Sequence, residues 1–151
     1  MVRRVLGRAV AVLTLGTFGA CGATDVTTDP TVAAFVGTWD ADSLTMTNEA
    51  DTTVVANVLD FGSFVIRVEP SGQYTATLTV LDSPAVEIGD VDVIGSTFQL
   101  NRTFPPPPST AASSFVFAAD DYLILDGASQ FDFNLDRIAE AARAHFELRR
   151  R

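Results

Sequence analysis

Few residues of this chain have both the chemistry and the partners that a reaction or a metal site needs. His145 is the only histidine, so a triad or a zinc site built on histidine would lack its other members. Residues 132–136 have the Asp-x-Asn-x-Asp pattern that opens a calcium loop, but Arg137 replaces the turn glycine and Arg143 the chelating glutamate. We therefore predict no catalytic residue, no metal site and no cofactor, and we interpret His145 as a surface side chain.

A second group of acidic residues also falls short of a catalytic pattern. Asp120, Asp121 and Asp126 flank a short apolar segment, and we interpret them as turn-forming and solubilising residues. Two carboxylates hydrolyse a glycosidic bond only when they face each other across a groove. The sequence also lacks a Gly-x-Ser-x-Gly motif and a phosphate-binding loop. We predict that the protein is not an enzyme, and a hydrolase with carboxylates converging in a cleft stays open as a third hypothesis.

The only cysteine follows a segment that indicates export. Residues 1–8 carry three arginines, and residues 9–18 form an uncharged, mostly apolar stretch that is too short to span a bilayer as a helix. This pattern predicts a signal peptide over residues 1–20. Residues 18–21, Phe-Gly-Ala-Cys, resemble the lipobox of bacterial lipoproteins.

The lipobox resemblance implies cleavage before Cys21, acylation of its sulfur and a lipid anchor in the membrane. It places the protein in the bacterial cell envelope, on the periplasmic or the surface side. The alternative is an ordinary secretory signal, cut at Ala20 or Ala23, which would leave Cys21 as a free thiol.

Beyond the leader, the composition indicates one acidic domain. Hydrophobic residues make up 47% of the chain, which is enough for a core. Loss of residues 1–20 would remove three arginines and no acids, which takes the formal net charge from -9 to -12. Because an acidic surface repels phosphate groups, we predict no nucleic-acid partner. Small and polar residues make residues 21–34 a flexible tether before one domain at residues 35–151.

Alternation of apolar and polar residues predicts β-strands in that domain. Residues 63–69 and 73–80 alternate with a period of two on either side of Pro-Ser-Gly, which predicts an antiparallel hairpin. A first strand is expected at residues 36–47, with a change of phase between Ala41 and Leu44. About eight such segments follow one another with brief turns. We therefore predict an all-β fold, a small antiparallel up-and-down barrel.

Two segments are irregular. Residues 52–61 are rich in valine and fit either a strand or a short helix across a barrel mouth. Within residues 85–93 the apolar phase changes at residues 89–90, where a β-bulge would fit.

Turn signals give three further expectations in the second half of the chain. The Asp126-Gly127 pair predicts a hairpin turn. The alanine-rich residues 135–142 predict a helical turn before a last strand at residues 143–149. Four consecutive prolines cannot pair in a sheet, so residues 105–112 form the longest expected loop.

The two ends of the predicted barrel sequence carry a family resemblance. Gly37 and Trp39 open the first strand as Gly-x-Trp, and the inward face of the last strand extends to Arg150. A Gly-x-Trp opening, a β-meander and a basic end resemble the lipocalin pattern over residues 35–151, more specifically the small lipocalin-like domains of bacterial lipoproteins. The resemblance implies that Trp39 plugs one end of the barrel and that Arg150 packs across it.

Phenylalanines dominate the predicted inward faces and could line a ligand pocket. They are Phe64, Phe98, Phe115, Phe117, Phe131, Phe133 and Phe146. They could equally fill the interior. The leading hypothesis is a lipid-anchored envelope protein that binds a small apolar ligand or an envelope protein. The alternative is an interaction or inhibitor module with a filled core that acts through loops such as residues 103–112. An enclosed pocket of at least ~300 Å³ would favour ligand binding.

Overall fold

Each strand of the sheet follows its sequence neighbour, and the last strand returns to the first. The computed structural model describes residues 29–151. The predicted signal peptide, Cys21 and the first part of the tether lie outside the described residues. The strands are β1 Gly37–Asn48, β2 Val55–Asn57, β3 Gly62–Val68, β4 Gln73–Val80, β5 Ser83–Ile94, β6 Thr97–Phe104, β7 Ser109–Ala119, β8 Tyr122–Phe131 and β9 Glu140–Arg150. Two 3₁₀ turns, Ala33–Phe35 and Val58–Asp60, precede β1 and β3.

Pairing of β1 with β9 closes the sheet into a barrel. The register runs from Trp39 opposite Arg150 to Asn48 opposite Ala142. Eight antiparallel strands, β1 and β3 to β9, form the barrel, and the short β2 pairs only with the end of β1. Closure gives the first and last strands partners on both sides. The predicted all-β, eight-stranded up-and-down barrel is confirmed.

A bulge in β1 keeps apolar side chains of this strand facing the core on both sides of the bulge. The register with β9 shifts between Ala41 and Ser43, which is the change of phase that the sequence predicted. Trp39 before the bulge is buried, and so are Leu44 and Met46 after it. Without the extra residue, one of these two sets would face solvent.

Both structures considered for residues 52–61 occur, one after the other. Val55–Asn57 is a strand and Val58–Asp60 a single helical turn. Asn57 caps the turn, because its Oδ1 accepts a hydrogen bond from the backbone N–H of Leu59 at 3.2 Å. Val58 is thereby buried against the end of β1.

Asp126 and Gly127 do not form a turn but lie inside the continuous strand β8. A Cβ at Gly127 would stand 2.5 Å from Ser113 Oγ and 2.7 Å from the carbonyl oxygen of Ala112. The glycine therefore accommodates the close approach of β7. The hairpin prediction is wrong because local sequence does not report the approach of another strand.

The helical turn predicted at residues 135–142 is also wrong. Residues 132–139 connect β8 to β9, and β9 begins at Glu140. The carboxylates of Asp132 and Asp136 accept backbone N–H groups inside this connection. Leu135 and Arg137 have φ values of 61° and 72°, which an α-helix does not contain.

The bulge expected near Gly89 is present but belongs to β6. The register between β4 and β5 is unbroken, so β5 keeps one phase along its length. The shift lies between β5 and β6, where Thr103 is the extra residue. The predicted phase change within residues 85–93 is therefore wrong: Val86 faces outward, and Glu87 faces inward.

The proline loop is shorter than predicted. β6 ends at Phe104 and β7 begins at Ser109, so only the four prolines lie outside the sheet. Residues 109–112 pair with β6, and Thr110 Oγ1 donates to Asn101 Oδ1 at 2.9 Å. The prediction failed because it extended the irregular backbone beyond the prolines that enforce it.

The strand connections divide between the two ends of the barrel. The β3–β4, β5–β6 and β7–β8 turns share the end where residues 29–36 cross the barrel, which we call the closed end. The β1–β3 segment, the β4–β5 turn, the proline loop and the β8–β9 connection share the other, which we call the open end. Neither helical turn within residues 29–151 has the length and apolar character of a membrane span.

Candidate functional site

Trp39 seals the closed end. Its side chain is 1% exposed, and its indole N–H donates to the carbonyl oxygen of Phe35 at 2.7 Å, which satisfies the buried donor. The guanidinium carbon of Arg150 lies 4.4 Å from the centre of the tryptophan ring, within cation–π range. Gly37, at φ 139°, has the Arg150 side chain 3.5 Å from where a Cβ would be. The structure thus brings together the three residues predicted to pack at a barrel end.

Phe35 is a closed-end residue that the sequence analysis missed. It lies in the 3₁₀ turn before β1, and its ring centroid is 4.8 Å from that of Phe98 and 5.0 Å from those of Phe115 and Phe117. Phe115 and Phe117 therefore pack around this plug, which corrects their assignment to a ligand pocket. The only sequence signal was an apolar residue just before Gly-x-Trp, in a segment too short to show a period.

A cavity of about 380 Å³ occupies the open half of the barrel. Four of the predicted pocket residues line it: Phe64, Phe98, Phe131 and Phe146. Phe133 lies past the end of β8, with its ring edge-on to Phe131 at a centroid distance of 5.0 Å, and is not part of the lining. The interior is therefore not filled, and the alternative in which the phenylalanines fill it is wrong for this half of the barrel.

The cavity exists because small residues face the phenylalanines. Ala76, Ala85, Ala111, Ser113, Gly127 and Ala144 all belong to its lining. At the closed end, inward positions carry Trp39, Tyr74 and Leu148 instead, and these are buried almost completely. Its volume lies within the range of small-molecule pockets, and its walls are mostly apolar, as in such pockets.

Glu87 is the one ionisable residue in the described lining of this cavity. Its Oε1 accepts a hydrogen bond from Arg102 Nη1 at 3.1 Å, and Arg102 Nη2 donates to the carbonyl oxygen of Pro107 at 3.0 Å. Both side chains face inward because β5 keeps its phase and β6 bulges only after Arg102. This pair was not predicted from the sequence, because a phase change was expected at residues 89–90. A single alternation carried from Ala85 to Val93 would have placed Glu87 inside.

Tyr74 lies on β4 beside this pair, and its partner in the sheet is Gly89 on β5. It is fully buried, and its hydroxyl has no hydrogen-bond partner among residues 29–151. Burial, reinforced by the negative charge of Glu87, raises the pKa of Tyr74 to about 12. The phenol is therefore neutral at physiological pH.

His145 belongs to a hydrogen-bonded group on the outer face of β8 and β9. Its Nδ1 lies 3.0 Å from Asp126 Oδ1 and its Nε2 3.4 Å from Glu147 Oε1, while Tyr122 donates to Glu147 at 2.7 Å. The hydrogen bond to Asp126 is the main cause that raises the pKa of His145 above its ordinary value.

The acidic residues do not converge into a metal-binding group. Asp126 is occupied by His145, while Asp120 and Asp121 form the β7–β8 turn. Within residues 29–151, no three or more metal-ligating side chains cluster.

Fold and cavity together define an antiparallel up-and-down barrel that is sealed at one end and opens into an apolar cavity at the other. No protein-family model matches the sequence, and no curated protein does so either.

Two solved structures resemble the barrel. One is a lipocalin-like protein from Bacteroides uniformis, with 11% identity, a TM-score of 0.48, and coverage of 78% of this chain and 99% of that chain. The other is EF1p2_mFAP2b bound to DFHBI, with 20% identity, a TM-score of 0.47, and coverage of 78% and 94%. At these scores the likeness adds nothing to the strand pairing, and the fold assignment depends on that pairing alone.

Proposed function

We propose that the protein is a non-enzymatic binding protein that holds a small, mainly apolar molecule in the cavity of its open half. The observation that carries this proposal is the cavity of about 380 Å³ in the described region. A barrel that served only as a rigid scaffold would gain stability by filling this space, since each unfilled volume forfeits packing contacts. The apolar walls favour an apolar ligand, because its burial there removes hydrocarbon from water.

The alternative, an interaction module with a filled core, has less support. It needed a solid interior and a long loop at residues 103–112. The described residues instead enclose a cavity, and residues 109–112 belong to β7.

A fluorescent probe tests the proposed pocket. N-phenyl-1-naphthylamine is neutral and brightens in apolar surroundings. We expect it to bind the natural protein saturably and to lose most of its affinity for Ala111→Phe, because Ala111 lines the cavity. The matched control is Ala112→Phe on the outward face of the same strand, which should bind the probe normally. Equal binding by both variants, with both folded, would contradict the proposal.

We further propose that the protein is exported and held in the cell envelope by a lipid on Cys21. The support is the sequence alone: the charged and apolar leader, and the sole cysteine directly after Phe-Gly-Ala. Several acyl chains would anchor the protein stably, at ~0.8 kcal/mol per buried methylene.

Native mass spectrometry of protein purified from its own envelope tests the anchor and the ligand together. We expect the mass of a chain that begins at Cys21 and carries acyl groups, and a further small molecule that is lost on delipidation. Cys21→Ser should leave the protein in the membrane-free fraction. An unmodified Cys21 in the mature natural protein would exclude the anchor without affecting the pocket.

A further inference from the structure

Only the acidic partner of the Glu87–Arg102 ion pair lines the cavity within the described residues. Glu87 Oε1 accepts from Arg102, and no hydrogen bond or ion pair within residues 29–151 reaches Glu87 Oε2. The Glu87 side chain is 43% exposed, so this oxygen is open to whatever enters the cavity. It can accept a hydrogen bond but cannot donate one.

Arg102 does not line the cavity. One N–H of each terminal nitrogen is used, by Glu87 and by the carbonyl of Pro107. The Nε of Arg102 is buried without a partner among the described residues. The charge of Arg102 partly offsets that of Glu87, but a carboxylate inside the cavity would meet Glu87 and not the guanidinium.

The connections at the open end add negative charge around the mouth of the cavity. Its connections, residues 49–54, 58–61, 81–82, 105–108 and 132–139, contain six acids and one arginine. The acids are Glu49, Asp51, Asp60, Asp82, Asp132 and Asp136, and the arginine is Arg137. A mouth lined by one sign of charge raises the local concentration of ions of the opposite sign and repels ions of the same sign.

From this arrangement we infer that the cavity selects an amphiphile whose apolar body ends in a protonated amine, and discriminates against the same body ending in a carboxylate. The apolar body lies among the phenylalanines, and the ammonium group donates to Glu87 Oε2 at the mouth. This inference rests on the proposed binding function and adds the chemical class of the ligand.

Three compounds with one hydrocarbon chain test the selection. Octylamine, octanol and nonanoate carry the same eight-carbon chain and differ only in the polar group, and each is titrated at pH 7 as a competitor of the neutral fluorescent probe. We expect octylamine to bind about tenfold more tightly than octanol, the size of one charge-assisted hydrogen bond, and nonanoate to bind most weakly. The margin between amine and carboxylate should shrink in high salt.

Substitutions at the pair sharpen the test. Glu87→Gln keeps the shape and the acceptor for Arg102 but removes the charge, so octylamine should lose its advantage while octanol is unaffected. Arg102→Gln removes the offsetting charge and should tighten octylamine. Glu69→Gln, at the closed end, makes the same charge change away from the cavity and should preserve the natural order. Melting temperatures establish that each variant is folded.

The outcomes separate the two claims. Nonanoate binding as tightly as octylamine overturns the inference while the proposed function stands, because octanol still reports an apolar pocket. Probe binding that none of the three compounds displaces overturns the inference alone. Absence of binding by the probe as well overturns both. The comparison in the natural protein needs no variant, so a variant that fails to fold does not decide the question.

Discussion

The two ends of this barrel are built from the same strands and the same alternation, yet one is solid and the other hollow. At the closed end, Trp39 and Tyr74 are buried almost completely, and Phe35 enters from outside the sheet to pack with them. At the open end, alanine, serine and glycine occupy inward positions around the cavity. The difference teaches that strand patterning sets which side chains face inward, whereas their sizes and one inserted segment decide whether the interior fills.

The closed end has a plug, which we define as residues 29–36, and the open end has no comparable segment among the described residues. The backbone N–H of Asp29 donates to the carbonyl oxygen of Pro70, and the carbonyl oxygen of Phe35 accepts the indole N–H of Trp39, so hydrogen bonds join residues 29–36 to the barrel. The segment buries Val32 and Phe35 completely or nearly so. At the open end the 3₁₀ turn Val58–Asp60 contributes one buried residue, Val58. A single turn on one side of the mouth narrows the entrance and does not fill the space behind it.

Truncation of the buried tryptophan at the closed end should produce the largest loss of stability. Trp39→Ala is expected to cost about 3–5 kcal/mol, because it leaves a large void in a fully packed end. Phe131→Ala, beside the existing cavity, should cost under about 2 kcal/mol, since this side chain is only half-buried. Urea denaturation followed by circular dichroism measures both. Equal losses would show that the two ends do not differ in packing.

Gly89 marks the boundary between the two regions, and an added methyl there should be the next most damaging change. A Cβ at Gly89 would stand 2.1 Å from the carbonyl oxygen of Asn101, so Gly89→Ala must move the β6 backbone. We expect a loss of about 1–3 kcal/mol and weaker probe binding, because Leu100, which precedes Asn101, lines the cavity.

Gly95→Asn supplies the control for that substitution. Gly95 has φ 61° with open space around it, and asparagine tolerates this conformation. It should fold with nearly natural stability in the same urea titration. A neutral Gly89→Ala would show that the strands at this boundary can separate freely.

A substitution at Arg150 should lower the stability of the closed end without exposing the interior there. Arg150→Met keeps an aliphatic side chain but removes the cation–π contact with Trp39 and the hydrogen bond to Ala34. We expect a loss of about 0.5–2 kcal/mol and unchanged probe affinity. Reduced probe binding by a stably folded variant would mean that the closed end controls the cavity.

The smallest expected effect lies on the outer wall, away from both ends. Because the folded protein raises the pKa of His145 above 6.5, its contribution is complete below that pH and is lost as pH rises through the raised value. Glu147, whose pKa is lowered from 4.5 by its hydrogen bonds with Tyr122 and then His145, contributes above that value and loses its contribution as pH falls through the lowered one. Stability from this group should therefore be greatest between about pH 4.5 and 6.5.

His145→Gln tests that pH dependence. Melting temperatures across pH 5–9 should decline less steeply above neutral pH in the variant than in the natural protein. Parallel curves would remove the Asp126–His145–Glu147 group as a source of pH dependence. Probe affinity should be the same in both proteins, because His145 is not part of the cavity lining.

Comparison of sequence and structure shows which signals were local. The alternation in β3 and β4 and the change of phase in β1 were correct, since each depends on neighbouring residues within one strand. The turn at Asp126-Gly127 and the phase change at residues 89–90 were wrong, since each glycine accommodates the close approach of the neighbouring strand, which lies outside its own segment. The Glu87–Arg102 pair was lost with the second of these errors.

By itself, the sequence determined an all-β chain, the inward faces of most strands, and Trp39 and Arg150 as packing residues at one end, because alternation with a period of two fixes which residues share a face. Only the tertiary structure decided that Phe35 fills one end and that a cavity remains beside Glu87 at the other. These outcomes depend on how side-chain volumes from several strands add up in one enclosed space. The total side-chain volume in that space cannot be read from any one segment of the chain.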